Sequence, residues 1–110
     1  LPKAIEKKRQ LLNFYQTAFQ RVKGVTVFTE PNFGKSNYWL NVLLLDDDLS
    51  KERDSLLELL NAKGIMARPT WTLMHELQIY NDCPTMDDLS VAQNLSRCLI
   101  NIPSSPHLVV

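Results

Sequence analysis

The run Tyr38-Trp39-Leu40-Asn41-Val42-Leu43-Leu44-Leu45 is apolar almost throughout and stops at Asp46-Asp47-Asp48. A strand apolar on both faces has to be covered on both, so other elements must pack on each side of it. Asn41 is its one interior polar residue. The three aspartates read as a solvated turn, since Asp favours turns and helix starts. They lack the glycine and late glutamate that a calcium loop would add.

The flanking segments supply the cover. Leu11, Tyr15, Ala18 and Val22 recur at steps of four, three and four, with Leu12 and Phe19 beside them, which predicts a helix over Ala4–Val22. Lys23-Gly24 is a fitting end for it. Val25–Thr29 is a short strand by its β-branched content, and Glu30–Ser36 is a turn by its Pro, Asn and Gly. Ser50 is positioned to cap a helix whose inner side carries the Arg53 stem, Leu56, Leu57 and Leu60, closed by Lys63-Gly64. Ile65–Arg68 is a third strand stopped by Pro69.

Residues 70–84 have little periodicity. Thr85 then opens a helix, with Asp88 at the reciprocal position of a capping box and an inner stripe of Val91, Ala92, Leu95 and Cys98. Leu99–Ile102 is a last strand before Pro103-Ser104-Ser105-Pro106 ends regular structure. The order is helix, strand, strand, helix, strand, loop, helix, strand. This predicts an α+β class: a small, largely antiparallel sheet packed with helices.

The chain has 110 residues, enough for one modest domain and not for two. Twelve basic residues balance twelve acidic ones, which removes the electrostatic footprint of a nucleic-acid or anionic-membrane binder. No apolar run approaches the roughly 20 residues that span a bilayer. The chain begins with Leu1 rather than Met, and the expectation is a piece of a longer protein. Cys83 and Cys98 sit in dissimilar settings and are expected as reduced thiols of a cytoplasmic protein. With no CxxC and two distant histidines, a zinc site is not expected.

Polar and aromatic groups gathered in an irregular stretch on a rigid scaffold usually serve a site. Arg68, at a strand end, has a fixed fork of donors suited to a carboxylate or diphosphate, or to a surface ion pair. His75 could bind a substrate oxygen, exchange a proton, or simply pack. Trp71 and Tyr80 could form a wall for a sugar or base, or bury the loop; Asn37, Tyr38 and Trp39 pose the same choice. His107 lies in the Pro/Ser tail and reads as solvated. No nucleophile–base–acid set and no Gly-rich phosphate loop can be assembled, so no catalytic and no metal-binding residue is assigned.

Several strings resemble the DegT-type (DegT/DnrJ/StrS) sugar aminotransferases, in their carboxy-terminal small domain. They are Tyr38-Trp39-Leu40-Asn41-Val42, then Lys63-Gly64-Ile65 with Arg68-Pro69-Thr70-Trp71, His75, Tyr80, Cys83-Pro84, and Asn101-Ile102-Pro103-Ser104-Ser105. Ser36-Asn37-Tyr38-Trp39-Leu40-Asn41 is most similar to members of the bacillosamine and legionaminic acid routes. The resemblance implies residues 1–23 as a linking helix into the domain, and a large pyridoxal-phosphate (PLP) domain absent from this chain. It implies a parent, a cytoplasmic homodimer, that transfers an amino group from glutamate to a nucleotide-linked keto sugar in surface-glycan synthesis. None of the seven lysines lies in the context of a Schiff-base lysine, so the chain alone is expected to be inactive and to bind no PLP. By the same resemblance Arg68 and His75 would contact the nucleotide-sugar or amino donor, with Trp71, Asn37 and Tyr38 lining the approach. Two other classes remain open at this point: a stand-alone ferredoxin-like ligand-binding or regulatory module, and a dimerisation domain.

Overall fold

A computed structural model describes all of residues 1–110. It contains α1 (Pro2–Phe19), β1 (Val25–Val27), β2 (Asn41–Leu45), α2 (Arg53–Ala62), β3 (Arg68–Pro69), α3 (Ser90–Cys98) and β4 (Leu99–Ile102). Short 3-10 turns lie at Asp47–Glu52, Met74–Glu76, Gln78–Tyr80 and Pro106–Leu108. The four strands form one antiparallel sheet in the order β1-β2-β4-β3. The expected α+β class is therefore what forms. After α1 the order is ββαβαβ, which is not the βαββαβ of a ferredoxin-like module.

The register decides which residues are buried. Val27 pairs with Leu43, Leu43 with Ile100, and Asn41 with Ile102, so these share one face. Leu43, Leu45, Ile100 and Ile102 on that face are buried with Leu12 of α1, Leu57 of α2, Ala67 and Cys98. The opposite face carries Thr26, Val42, Leu44, Leu99 and Asn101, which are exposed or half-buried. The apolar run is thus fully covered on one face only, contrary to its reading as a strand sealed on both.

Several boundaries differ from those the sequence predicts. The first helix starts at Pro2, a favoured first-turn residue, and ends at Phe19, not Val22. Its inward residues are Leu11, Leu12, Tyr15 and Phe19, while Ala18 and Val22 are exposed. β1 stops at Val27. Tyr38 and Trp39 lie outside β2, because Tyr38 has φ +48° and breaks the extended backbone. Ser50 does not cap α2; it sits inside the 3-10 turn, and α2 begins at Arg53. β3 is Arg68–Pro69 and includes the proline, which an edge strand tolerates because its missing N–H would face outward.

The Thr85–Asp88 capping box does not form. Asp88 instead accepts the Ser90 N–H at 2.9 Å, so α3 begins at Ser90, and Val91 and Leu95 of the expected inner stripe are exposed. The end of α2 does match. Ile65 N–H donates to the Leu60 carbonyl and Gly64 N–H to that of Asn61, with Gly64 at φ +79°, which is a Schellman ending. No helix is long and apolar enough to cross a membrane.

Candidate functional site: a loop wall held by the first helix

Charged residues on α1 organise the segment that joins β1 to β2. Arg9 donates to both Glu30 carboxylate oxygens at 2.9 and 3.0 Å and to the Ser36 carbonyl at 2.6 Å. Its guanidinium also lies 5.3 Å from the Tyr38 ring centroid, within cation–π range. Arg9, and then the Ser36 N–H, hold the Glu30 carboxyl down to about 2. One residue back, Lys8 donates to the carbonyls of Tyr38, Trp39 and Ser104 at 3.4, 3.0 and 2.8 Å.

Tyr38 is the point where this network closes. It is 5% exposed, its N–H donates to Ser36 Oγ, and its hydroxyl accepts the Glu30 N–H at 3.0 Å. A bulky residue at positive φ is strained and persists only when its surroundings fix it. Here every polar group of Tyr38 is engaged. The left-handed residue turns the chain so that the next side chain, Trp39, stands outward. Trp39 stacks on Trp71 with ring centroids 6.1 Å apart and planes inclined 23°, both rings remaining largely exposed.

The five candidate residues are therefore not one contact set. Asn37 is exposed, and its Oδ1 accepts the Trp39 N–H at 3.0 Å, shaping the turn. The Tyr38 side chain is largely buried, borders an open cleft with Phe28, Lys35, Leu40 and Val42, and also fixes the conformation of the turn. Trp71 belongs to the surface pair, and its partner is Trp39. Arg68 is exposed and donates to Asn61 Oδ1 at 2.7 Å and to the Ala67 carbonyl, which ties β3 to the end of α2. His75 is half-buried in a cleft of about 410 Å³ with Leu73, Met74, Tyr80, Cys83 and Met86. Its Nε2 lies 3.5 Å from Gln93 Nε2 and 3.9 Å from the Glu76 carboxylate. No hydrogen bond joins Arg68 to His75 or either to the tryptophans.

Arg9, Glu30 and Lys8 were not singled out by the sequence reading. They are ordinary charged residues, and the Arg9–Glu30 and Lys8–Ser104 partners lie 21 and 96 positions apart, so no local pattern marks such pairs. Trp39 was legible as a candidate wall aromatic, but not as the stacking partner of Trp71.

Placed beside known proteins, the whole chain finds its class. Residues 1–109 match the model of the DegT/DnrJ/EryC1/StrS aminotransferase family. The chain belongs to that family. Two relatives match nearly end to end. EpsN of Bacillus subtilis (strain 168), described as a candidate pyridoxal phosphate-dependent aminotransferase, is 30% identical over 98% of this chain. GDP-perosamine synthase of Vibrio cholerae is 28% identical over 96%. The chain spans 28% and 29% of the length of these two relatives.

Solved structures share the fold. Helicobacter pylori PseC, an aminotransferase of pseudoaminic acid biosynthesis, superposes with a TM-score of 0.87 at 20% identity, covering 99% of this chain and 29% of that one. DesI in the presence of its TDP-sugar product gives 0.84 at 23% identity, covering 96% and 27%.

Neither Lys8 nor Lys35 lies in a site built for PLP. Lys8 is committed to three carbonyls. Lys35 lines an open, mostly apolar cleft with Phe28, Pro31, Leu40 and Val42, and the Glu30 carboxylate in that lining, already paired with Arg9, offers no donor to a phosphate.

Proposed function

We propose that this chain is the C-terminal small domain of a PLP-dependent enzyme that transfers an amino group, from glutamate, to a nucleotide-linked keto sugar for surface-glycan synthesis. The observation that carries this is the family match over residues 1–109, joined to end-to-end similarity with relatives of which one is a GDP-perosamine synthase. The large domain of the parent holds the cofactor and the lysine that binds it. The whole enzyme is a cytoplasmic homodimer in this reading.

The small domain contributes surface rather than chemistry. Trp39 and Trp71 offer flat apolar faces to a sugar or base. Arg68 offers charged donors at a strand end, His75 a ring nitrogen in an apolar cleft, and Asn37 an exposed amide. The cofactor would supply the electron sink, and the proton transfers that the reaction needs would fall to the lysine of the large domain rather than to these groups.

The test is the absorption spectrum of the purified full-length enzyme. Addition of glutamate should bleach the visible cofactor band, and a nucleotide-linked keto sugar should restore it. A protein that stays colourless with added PLP would sink the assignment. A band untouched by glutamate would instead point to another reaction on the same scaffold. The Escherichia coli GDP-4-keto-6-deoxy-D-mannose-3-dehydratase structure, TM-score 0.80 at 20% identity, shows that such a fold is not confined to aminotransferases.

A further inference from the structure

We propose that Arg9 and Lys8 of α1 are positioning residues that set the Trp39–Trp71 wall, so that the first helix controls the geometry of the substrate-facing surface. The inference rests on the reading above that this wall faces the substrate. It assigns the placement of the wall to two side chains outside it.

Three observations carry it. The first is the strain at Tyr38. A non-glycine residue at φ +48° lies immediately before Trp39, and the bend at Trp39–Leu40 joins it to β2, which begins at Asn41. Relaxing Tyr38 to an extended residue would change the direction in which the chain enters that bend, and so re-aim the Trp39 indole. The left-handed conformation is thus what brings Trp39 to Trp71.

The second is the density of the restraints. Arg9 holds both ends of the 30–36 turn, Glu30 by its carboxylate and Ser36 by its carbonyl, and covers the Tyr38 ring. Bidentate pairing fixes orientation as well as distance, which a lysine at the same place could not do. Lys8 grips the carbonyls of the two peptide links that flank the Trp39 Cα. The third is that Trp39 and Trp71 have few restraints of their own. Both rings are about two-thirds exposed, at 65% and 68%, so burial does not hold them. Their arrangement has to come from the backbone beneath.

Lys8 also reaches the Ser104 carbonyl, and Ser104 Oγ accepts the Asn41 N–H at 2.7 Å. The same amine therefore joins α1, the start of β2 and the chain after β4. A shift of α1 along its axis would move the Trp39 peptide with it.

Trp39 and Trp71 are the only tryptophans of this chain, which makes the pair directly visible. Two stacked indoles give an exciton couplet in far-ultraviolet circular dichroism. Wild type should show it, and Trp71→Phe should abolish it. Arg9→Gln should at least halve it with helix content unchanged. Arg9→Lys should fail to restore it fully, because one ammonium cannot replace a fork. If Arg9→Gln does not fold, Glu30→Gln removes the charge partner while keeping shape and should weaken the couplet in the same way. A full couplet in a folded Arg9→Gln or Glu30→Gln chain overturns the positioning role.

The kinetic arm uses the full-length enzyme. Arg9→Gln should raise KM for the nucleotide sugar about tenfold, a loss of about 1.4 kcal/mol, and leave KM for the amino donor unchanged. The two failures are separable. If Trp71→Ala leaves KM for the sugar unchanged, the wall does not face substrate and both readings fall. If Trp71→Ala raises KM while Arg9→Gln changes neither couplet nor KM, the wall stands and the positioning role alone is wrong.

Discussion

Arg9 and Glu30 meet through two parallel hydrogen bonds of 2.9 and 3.0 Å, joining the first helix to the turn that precedes β2. The pairing lowers the Glu30 pKa to about 2, chiefly through Arg9 and then through the Ser36 N–H. A carboxylate whose pKa is lower in the folded than in the unfolded state stabilises the fold above its unfolded value and loses that contribution as pH falls.

The first prediction follows from that sign. The contribution of Glu30 should be full above about pH 5 and fall progressively toward pH 2, the window set by an ordinary Glu pKa and the lowered one. Urea melts of wild type and Glu30→Gln between pH 6 and pH 3 should converge as pH falls. Curves that stay parallel would show that the ion pair does not contribute in solution.

Two glycines with the same backbone conformation should respond differently to alanine. Gly24 and Gly64 have φ of +80° and +79°. A Cβ at Gly24 would clash with the Leu49 Cδ1, whereas one at Gly64 meets nothing within 4 Å. Gly64→Ala should cost about 1 kcal/mol from the left-handed backbone alone. Gly24→Ala should cost more, because Leu49 must also move. Equal losses in denaturant melts would mean that Leu49 yields freely.

Asn41 is 1% exposed, and neither Oδ1 nor Nδ2 finds a partner within the protein. It faces Ile102 across the sheet, on the same side as Leu43 and Ile100. Its backbone N–H has the Ser104 hydroxyl, so the main chain keeps its bond in any substitution. Asn41→Leu should therefore raise stability, by about 1 kcal/mol, since a buried unpaired amide is costly and an apolar group of similar volume is not. A less stable variant would show that the amide is paired in solution.

Arg68 gives the prediction for activity. In the full-length enzyme, Arg68→Ala should raise KM about tenfold for one substrate, the loss of a charge-assisted hydrogen bond. Asn61→Ala removes the partner that holds Arg68 at 2.7 Å and should raise the same KM less. Unchanged KM for both substrates in Arg68→Ala would confine the residue to tying β3 to α2.

What the sequence by itself determined was set by local chemistry. The Lys63-Gly64-Ile65 ending forms as read, because the six consecutive residues Leu60–Ile65 contain all of a Schellman motif. Leu99–Ile102 and the α+β order were legible for the same reason, since periodicity and turn residues act over a few positions. The family, too, was visible in short strings such as Arg68-Pro69-Thr70-Trp71.

Tertiary structure decided the rest. The apolar run at 38–45 does not say that Tyr38 turns left-handed, because that conformation is fixed by Arg9 and Lys8, about 30 positions away. Nor does it say that Trp39 leaves the strand to meet Trp71. Pro69 signalled a strand end, yet it pairs at a sheet edge that only the strand order creates. Long-range pairs of ordinary charged residues have no local signature. Their partners are chosen by the fold, and the wall they build is therefore a property of the folded chain.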